Sequence, residues 1–357
     1  MISAGKQAVL AFGLSWVTFG MLAFSGCGEP SPQATLWHLS GETMGTTWHA
    51  TVRTEEGMPD SQRENVQKMI QLQLDQVDQA MSTYKADSDV SRFNRASSSE
   101  VLSIRPSTGV NLELGLRLAQ QTKGAFDPTV LPLVNAWGFG PEKHRLAPPS
   151  IEEIQSIKKR VGWQHVLWDK KDQTIRKKLA GVQLDFSAFA KGYGVDAASE
   201  FLSTLELKDF LVEVGGELRV RGEKLPGQPW SIGIEKPTEQ SMPSKMIQEV
   251  LLLTDRAVAT SGDYRNFRMI DGKRISHILD PRTGLPTTNN VASVTVLADD
   301  CMTADALATA LTVLGPKEGM RLLQEHYPHT EALFILRQGD RFTAVQTEKF
   351  SPTTVGP

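Results

Sequence analysis

Cysteine is nearly absent: Cys27 and Cys301 are the two in 357 residues, which excludes a disulfide framework. Strong charge imbalance is also missing. With a formal net charge of -3 the chain has no basic field that would release counterions from a nucleic acid, so nucleic acid is excluded as a partner. Neither the GxxxxGKS/T spacing of a nucleotide P-loop nor the GxGxxG dinucleotide fingerprint is present. There is no internal repeat, no low-complexity tract and no signature of disorder, collagen or coiled coil.

Long apolar runs are confined to one, Ala8 to Phe24, which follows Lys6 and precedes Ser25-Gly26-Cys27. Positive charge, apolar core and small residues in that order describe a secretory signal over residues 1–26. The run is also near the lower length limit for a spanning helix, so an uncleaved membrane helix is the competing reading. "FSGC" resembles a bacterial lipobox, with Phe24 where leucine is commoner; cleavage would then leave a lipidated Cys27. Both readings put the folded part outside the cytoplasm, in the bacterial cell envelope facing the periplasm and anchored to a membrane. "GEPSPQAT" after Cys27 is a polar tether, so residues 27–35 are lipidated cysteine plus tether, 36–345 the folded domain and 346–357 a C-terminal tail. Cys301, left without a partner, reads as a small buried apolar residue.

What is present is ample apolar content, 40% of the chain, enough for one large domain or two coupled lobes. Val66, Ile70, Leu74, Val77 and Met81 recur at helical spacing within 65–84, and further helices are expected at 111–121, 151–160, 189–205, 301–315 and 316–325. Strand-like runs lie at 47–53, 165–169, 209–214, 217–221, 230–235, 248–253 and 291–297. Strands in groups with helices between them predict an α+β fold, with mixed or antiparallel sheets flanked by helices.

Several stretches can carry chemistry, each beside a bland alternative. "LDFSAFAKGYGVDAA", 184–198, sets Asp185, Ser187 and Lys191 at a helix start, either a phosphate seat or a capped helix with a solvated lysine. Asp305 and Thr309, four apart on a helix, share a face and offer two oxygens to a hard cation; alternatively Asp305 is exposed and Thr309 bonds back to its own helix. His277 in "ISHILDPRTG" is either structural or a proton acceptor near neutral pH, ahead of a turn. "GAFDPTVLPLVNAWGFGP", 124–141, reads as a packed loop or a flat apolar wall for an aromatic ring, and Met44 as packing or a ring contact.

The order of these stretches resembles the ApbE-like FAD:protein FMN transferases. The resemblance is carried by "TMGT" 43–46, "MSTY" 81–84, "GAFDPT" 124–129, "LVNAWGFGP" 133–141, "DFSAFAKGY" 185–193, "VEVGGEL" 212–218, "ATSGDY" 259–264, "SHILDPRTG" 276–284 and "TADALATAL" 303–311. Two departures are expected to touch no site residue: Leu131 for a common glycine and Gly194 for an alanine. The resemblance implies a T-fold-like single catalytic unit with a flavin cleft. It implies FAD as substrate and Mg²⁺ as cofactor, with FMN passing to a Thr or Ser hydroxyl of another protein and AMP leaving. FAD contacts would be Met44, Tyr84, Ala125, Phe126, Asp127, Asp185, Lys191, His277 and Ile278. The metal would lie on the Ala188 carbonyl, Asp305 and Thr309, and His277 would be the base of a catalytic pair with Asp185. Acceptors would be subunits of membrane redox complexes, of the Na⁺-pumping NADH:quinone oxidoreductase or Rnf type. An FAD pyrophosphatase giving FMN and AMP, and a non-catalytic flavin-binding lipoprotein, are the alternatives.

Overall fold

Alternation builds the first hairpin: Trp37 and Leu39 of β1 (Thr35–Thr43) and Trp48, Ala50 and Val52 of β2 (Thr46–Thr54) turn inward, while His38, Ser40 and His49 stay exposed. Met44 (φ 48°) and Gly45 (φ 74°) make the two-residue turn between them, both with the positive φ that matches strand twist. In this computed structural model residues 35–54, 59–142, 147–235, 247–262, 267–270, 273–339 and 341–352 are described. The signal, Cys27 and almost all of the tether lie outside them.

Six further strands continue the sheet: β3 (Phe210–Val214), β4 (Glu217–Arg221), β5 (Arg256–Gly262), β6 (Val291–Ala298), β7 (Glu331–Gln338) and β8 (Arg341–Gln346). Their spatial order follows the chain, and every neighbouring pair is antiparallel. Among the described residues seven α-helices accompany them: α1 (Asp60–Met81), α2 (Asp89–Arg95), α3 (Pro106–Gln121), α4 (Leu131–Ala136), α5 (Ile151–Lys158), α6 (Ala190–Thr204) and α7 (Cys301–His326). Helix α7 is interrupted at Gly315 (φ 72°), followed by Pro316, which matches the expectation of two consecutive helices there. The fold is α+β, with a large antiparallel sheet and helices, as the grouping of strands predicts.

Both faces of the sheet centre are covered. Val294 and Val296 of β6 join α3, α6 and α7 residues in one core, whereas Ala292 and Leu297 face a hairpin of Trp230–Glu235 and Ile247–Leu253. Hence every residue of β6 is buried. Asp196 helps tie α6 to α7: it accepts the N–H groups of Cys301 (3.0 Å) and Met302 (2.8 Å) and pairs with Arg219 (3.0 Å). The sheet runs to Gln346, beyond the expected domain end, and Phe350 is buried against the hairpin side.

Candidate active site

A cavity of about 430 Å³ opens beside the β3–β4 turn and the end of β5. The structure brings to its wall Tyr84, Ala125, Phe126, Asp127, Asp185, Ala188, Lys191, His277, Ile278, Asp305 and Thr309. Met44 is the described site residue it leaves off that wall. The Met44 methyl instead lies over Gly194, where an added Cβ would sit 2.9 Å from it. The expectation that position 194 touches no site residue is therefore corrected: glycine there makes room for Met44.

The apolar side is fixed by loops held through short hydrogen bonds. Ser82 Oγ accepts the N–H groups of Tyr84 (3.1 Å) and Lys85 (3.3 Å), holding an exposed Tyr84 at the mouth. Phe126 packs on Phe189 with ring centroids 5.9 Å apart. Asp127 accepts Thr129 N–H (2.9 Å), Thr129 Oγ1–H (2.6 Å) and Trp163 N–H (2.9 Å). Burial pushes the Asp127 carboxyl up, and these donors pull it back. His277 lies between the short strands Lys273–Ser276 and Leu279–Asp280, its ring edge toward Phe139 with centroids 6.3 Å apart. The turn behind it is braced: Gly284 N–H reaches Asp280 O (2.8 Å), Arg282 clasps the Asp280 carboxylate, and Trp137 Nε1–H donates to Gly284 O (2.9 Å).

The polar side overturns the reading of 184–198 as a capped helix with a solvated lysine. Lys191 is ion-paired and half-buried: its ammonium lies 3.4 Å from Asp305 Oδ2 and 3.2 Å from Glu217 Oε1. Burial would lower its pKa, but the two carboxylates outweigh burial and hold it above the ordinary lysine value. Gly192 N–H does not face a phosphate seat; it donates to Asp305 Oδ2 (3.0 Å). An added Cβ at Gly192 would lie 2.3 Å from Cys301 O, so this glycine serves the α6–α7 contact. Asp305 is buried, not exposed, and burial raises its carboxyl while Lys191 and Gly192 N–H pull it down. Asp185 is likewise raised by burial and accepts Ser187 N–H (2.9 Å).

Three oxygens here suit a hard cation. Among the described residues both hydrogen bonds to Asp305 fall on Oδ2, and none reaches Oδ1. Ala188 stands one residue before Phe189, the N-cap of α6, so its carbonyl lies outside the helical ladder, and no donor to it is seen among the described residues. Thr312 bonds back to Ala308 O (2.8 Å), but Thr309 makes no such bond among the described residues. Carbonyl, carboxylate and hydroxyl oxygens are the donors that Mg²⁺-type cations take, with waters or phosphates completing the shell. Among the described residues no three His, Cys, Asp or Glu side chains gather to hold a metal, so the set depends on those other oxygens.

Sequence reasoning gave Glu217 no role, although it stands in the quoted "VEVGGEL". It is buried, opens β4, and accepts Thr260 N–H on Oε2 (3.2 Å). Its signal was the Gly215-Gly216 turn (φ 58° and 99°), which ends one strand and starts the next beside the cavity.

Comparison with known proteins identifies the family. An FAD:protein FMN transferase of Vibrio cholerae serotype O1 is 40% identical over 332 residues, covering 93% of this chain and 96% of that protein. The solved flavin transferase ApbE from Vibrio cholerae superposes with a TM-score of 0.80 at 40% identity, covering 89% of this chain and 99% of that one. The apo flavinyl transferase ApbE of Pseudomonas stutzeri superposes with a TM-score of 0.79 at 36% identity, covering 88% and 96%. A sequence model of the ApbE family matches residues 44–334, a span that includes every cavity residue named above, and the chain belongs to the ApbE family.

Proposed function

We propose that this cavity binds FAD and transfers its FMN half to a Thr or Ser hydroxyl of a target redox protein, with AMP leaving and Mg²⁺ required. The chain is a flavin transferase; its curated relatives carry the name FAD:protein FMN transferase. The observation that carries the finer reading is the meeting, in one cavity, of the free oxygens of Ala188, Asp305 and Thr309 with Lys191, His277 and the wall of Phe126 and Tyr84.

The bond that forms joins the acceptor hydroxyl oxygen to the FMN phosphorus. The bond that breaks is the pyrophosphate P–O bond to AMP, which leaves with its electron pair. A hydroxyl is too weakly acidic to attack unaided, so its proton passes to a ring nitrogen of His277. When bound, Mg²⁺ supplies charge neutralisation to the phosphate oxygens, the main demand of phosphoryl transfer. Lys191 offers a phosphate a cation fixed by two carboxylates, while Phe126, Tyr84 and Ile278 flank a flat ring. The acceptors fit membrane redox subunits of the Na⁺-pumping NADH:quinone oxidoreductase or Rnf type, and a lipid on Cys27 would hold the enzyme on a periplasm-facing membrane beside them. These last readings rest on the family resemblance and on the N-terminal sequence.

His277→Ala tests the assignment of the base. FAD affinity should stay within about threefold of wild type, whereas transfer should fall at least ~100-fold. Unchanged transfer would remove His277 from the chemistry.

A further inference from the structure

One ammonium is shared by two buried carboxylates. The side chains of Asp305 and Glu217 are 7% and 5% exposed, that of Lys191 27%, and their shared contact leaves the trio one negative charge in excess. Lys191 therefore sits on the same Asp305 carboxylate that the proposed function gives to a divalent cation. The second carboxylate is firmly held: Glu217 Oε2 accepts Thr260 N–H at 3.2 Å, and the Thr260 hydroxyl is 2.9 Å from that of Thr295. The lysine stem runs past Gly215, where a Cβ would lie 3.3 Å from Lys191 Cδ. The ammonium can thus move off Asp305 without leaving its second partner.

We propose that Glu217 is a positioning residue that gives the Lys191 ammonium a second seat, so that a cation arriving at Asp305 shifts the ammonium onto Glu217 instead of expelling it. The inference rests on the divalent-cation reading of the site. In the cation-free protein Lys191 competes for Asp305, and Glu217 lowers the cost of giving that carboxylate up. After the exchange the ammonium stays on the cavity wall, where a phosphate oxygen of the substrate can meet it.

The test is Mn²⁺ binding, read by the electron paramagnetic resonance of free Mn²⁺, to the full-length protein without FAD. Four proteins are compared: wild type, Glu217→Gln, Lys191→Met and the double variant. Lys191→Met removes the competitor and should tighten binding about tenfold. Glu217→Gln should weaken it about tenfold in the wild-type background and less than about threefold beside Lys191→Met, because groups that act through one another are non-additive. Glutamine keeps an oxygen for Thr260 N–H. Should it still fail to fold, Glu217→Asp retains the charge but draws back from the ammonium, and weaker Mn²⁺ binding is expected in the same background-dependent way. Equal effects of the Glu217 change in both backgrounds, or none in either, would overturn the proposal while leaving the cation site standing. No saturable Mn²⁺ binding in any of the four would remove the cation site and this proposal with it.

Discussion

Among the described residues no group engages the Thr309 hydroxyl, while its neighbour Thr312, one turn-face away, bonds to Ala308 O at 2.8 Å. A hydroxyl left free on a cavity wall contributes nothing to folding, so its removal separates binding from stability. Thr309→Val should leave the melting temperature within about 2 °C of wild type and raise the Mg²⁺ concentration for half-maximal transfer about tenfold or more. Melting curves and a Mg²⁺ titration of transfer check both parts; an unchanged Mg²⁺ requirement would take Thr309 out of the cation set. At this scale the sequence was informative about which residues meet and poor about how. Spacing of four placed Asp305 and Thr309 on one helix face, as the cavity shows. That Asp305 is paired with Lys191 was not legible, because the partners are 114 positions apart and each, read locally, has an ordinary surface alternative. Glu217 escaped notice for the same reason.

Helix α6 carries two glycines with opposite duties. At Gly192 an added Cβ would press on backbone, Cys301 O at 2.3 Å, whereas at Gly194 it would meet the ends of two side chains, Met44 Cε at 2.9 Å and Leu74 Cδ2 at 3.2 Å. Gly192→Ala should therefore cost about 2–3 kcal/mol through overpacking, measured by urea unfolding. Gly194→Ala should gain up to about 1 kcal/mol from helix propensity as the methionine methyl yields. Equal losses at both positions would mean that α6 and α7 do not pack as described. Elements with strong periodicity were legible to within a few residues: 65–84 was expected where α1 spans Asp60–Met81, and 189–205 where α6 spans Ala190–Thr204. Those missed have physical reasons. Strand β7, "EALFILRQ", is buried on both faces and shows a continuous apolar run without alternation; β8 is an edge strand with little burial at all. Helix α4 is six residues long with Pro132 in its first turn, so it reads as a loop.

For the whole molecule, the α+β class was legible from the grouping of strands, which left mixed and antiparallel sheets both open, but the end of the domain was not. The last residues before position 353 are polar in sequence, yet Phe350 is buried and Thr347 N–H bonds to Ala332 O at 2.9 Å, so they belong to the packed unit. Among the described residues no helix is long and apolar enough to cross a membrane. Expressed in a bacterium, the full chain should fractionate with membranes, and Cys27→Ala should release it to the soluble fraction. Retention of that variant on the membrane would make the apolar run Ala8–Phe24 itself the anchor. The central claim is chemical, and the most direct measurement is the intact mass of a threonine-containing fragment of a membrane redox subunit. The fragment is incubated with the full-length protein, FAD and Mg²⁺, with Asp305→Ala alongside. The account predicts a mass gain of one FMN that the Asp305→Ala protein does not produce; free FMN and AMP beside an unmodified fragment would contradict it.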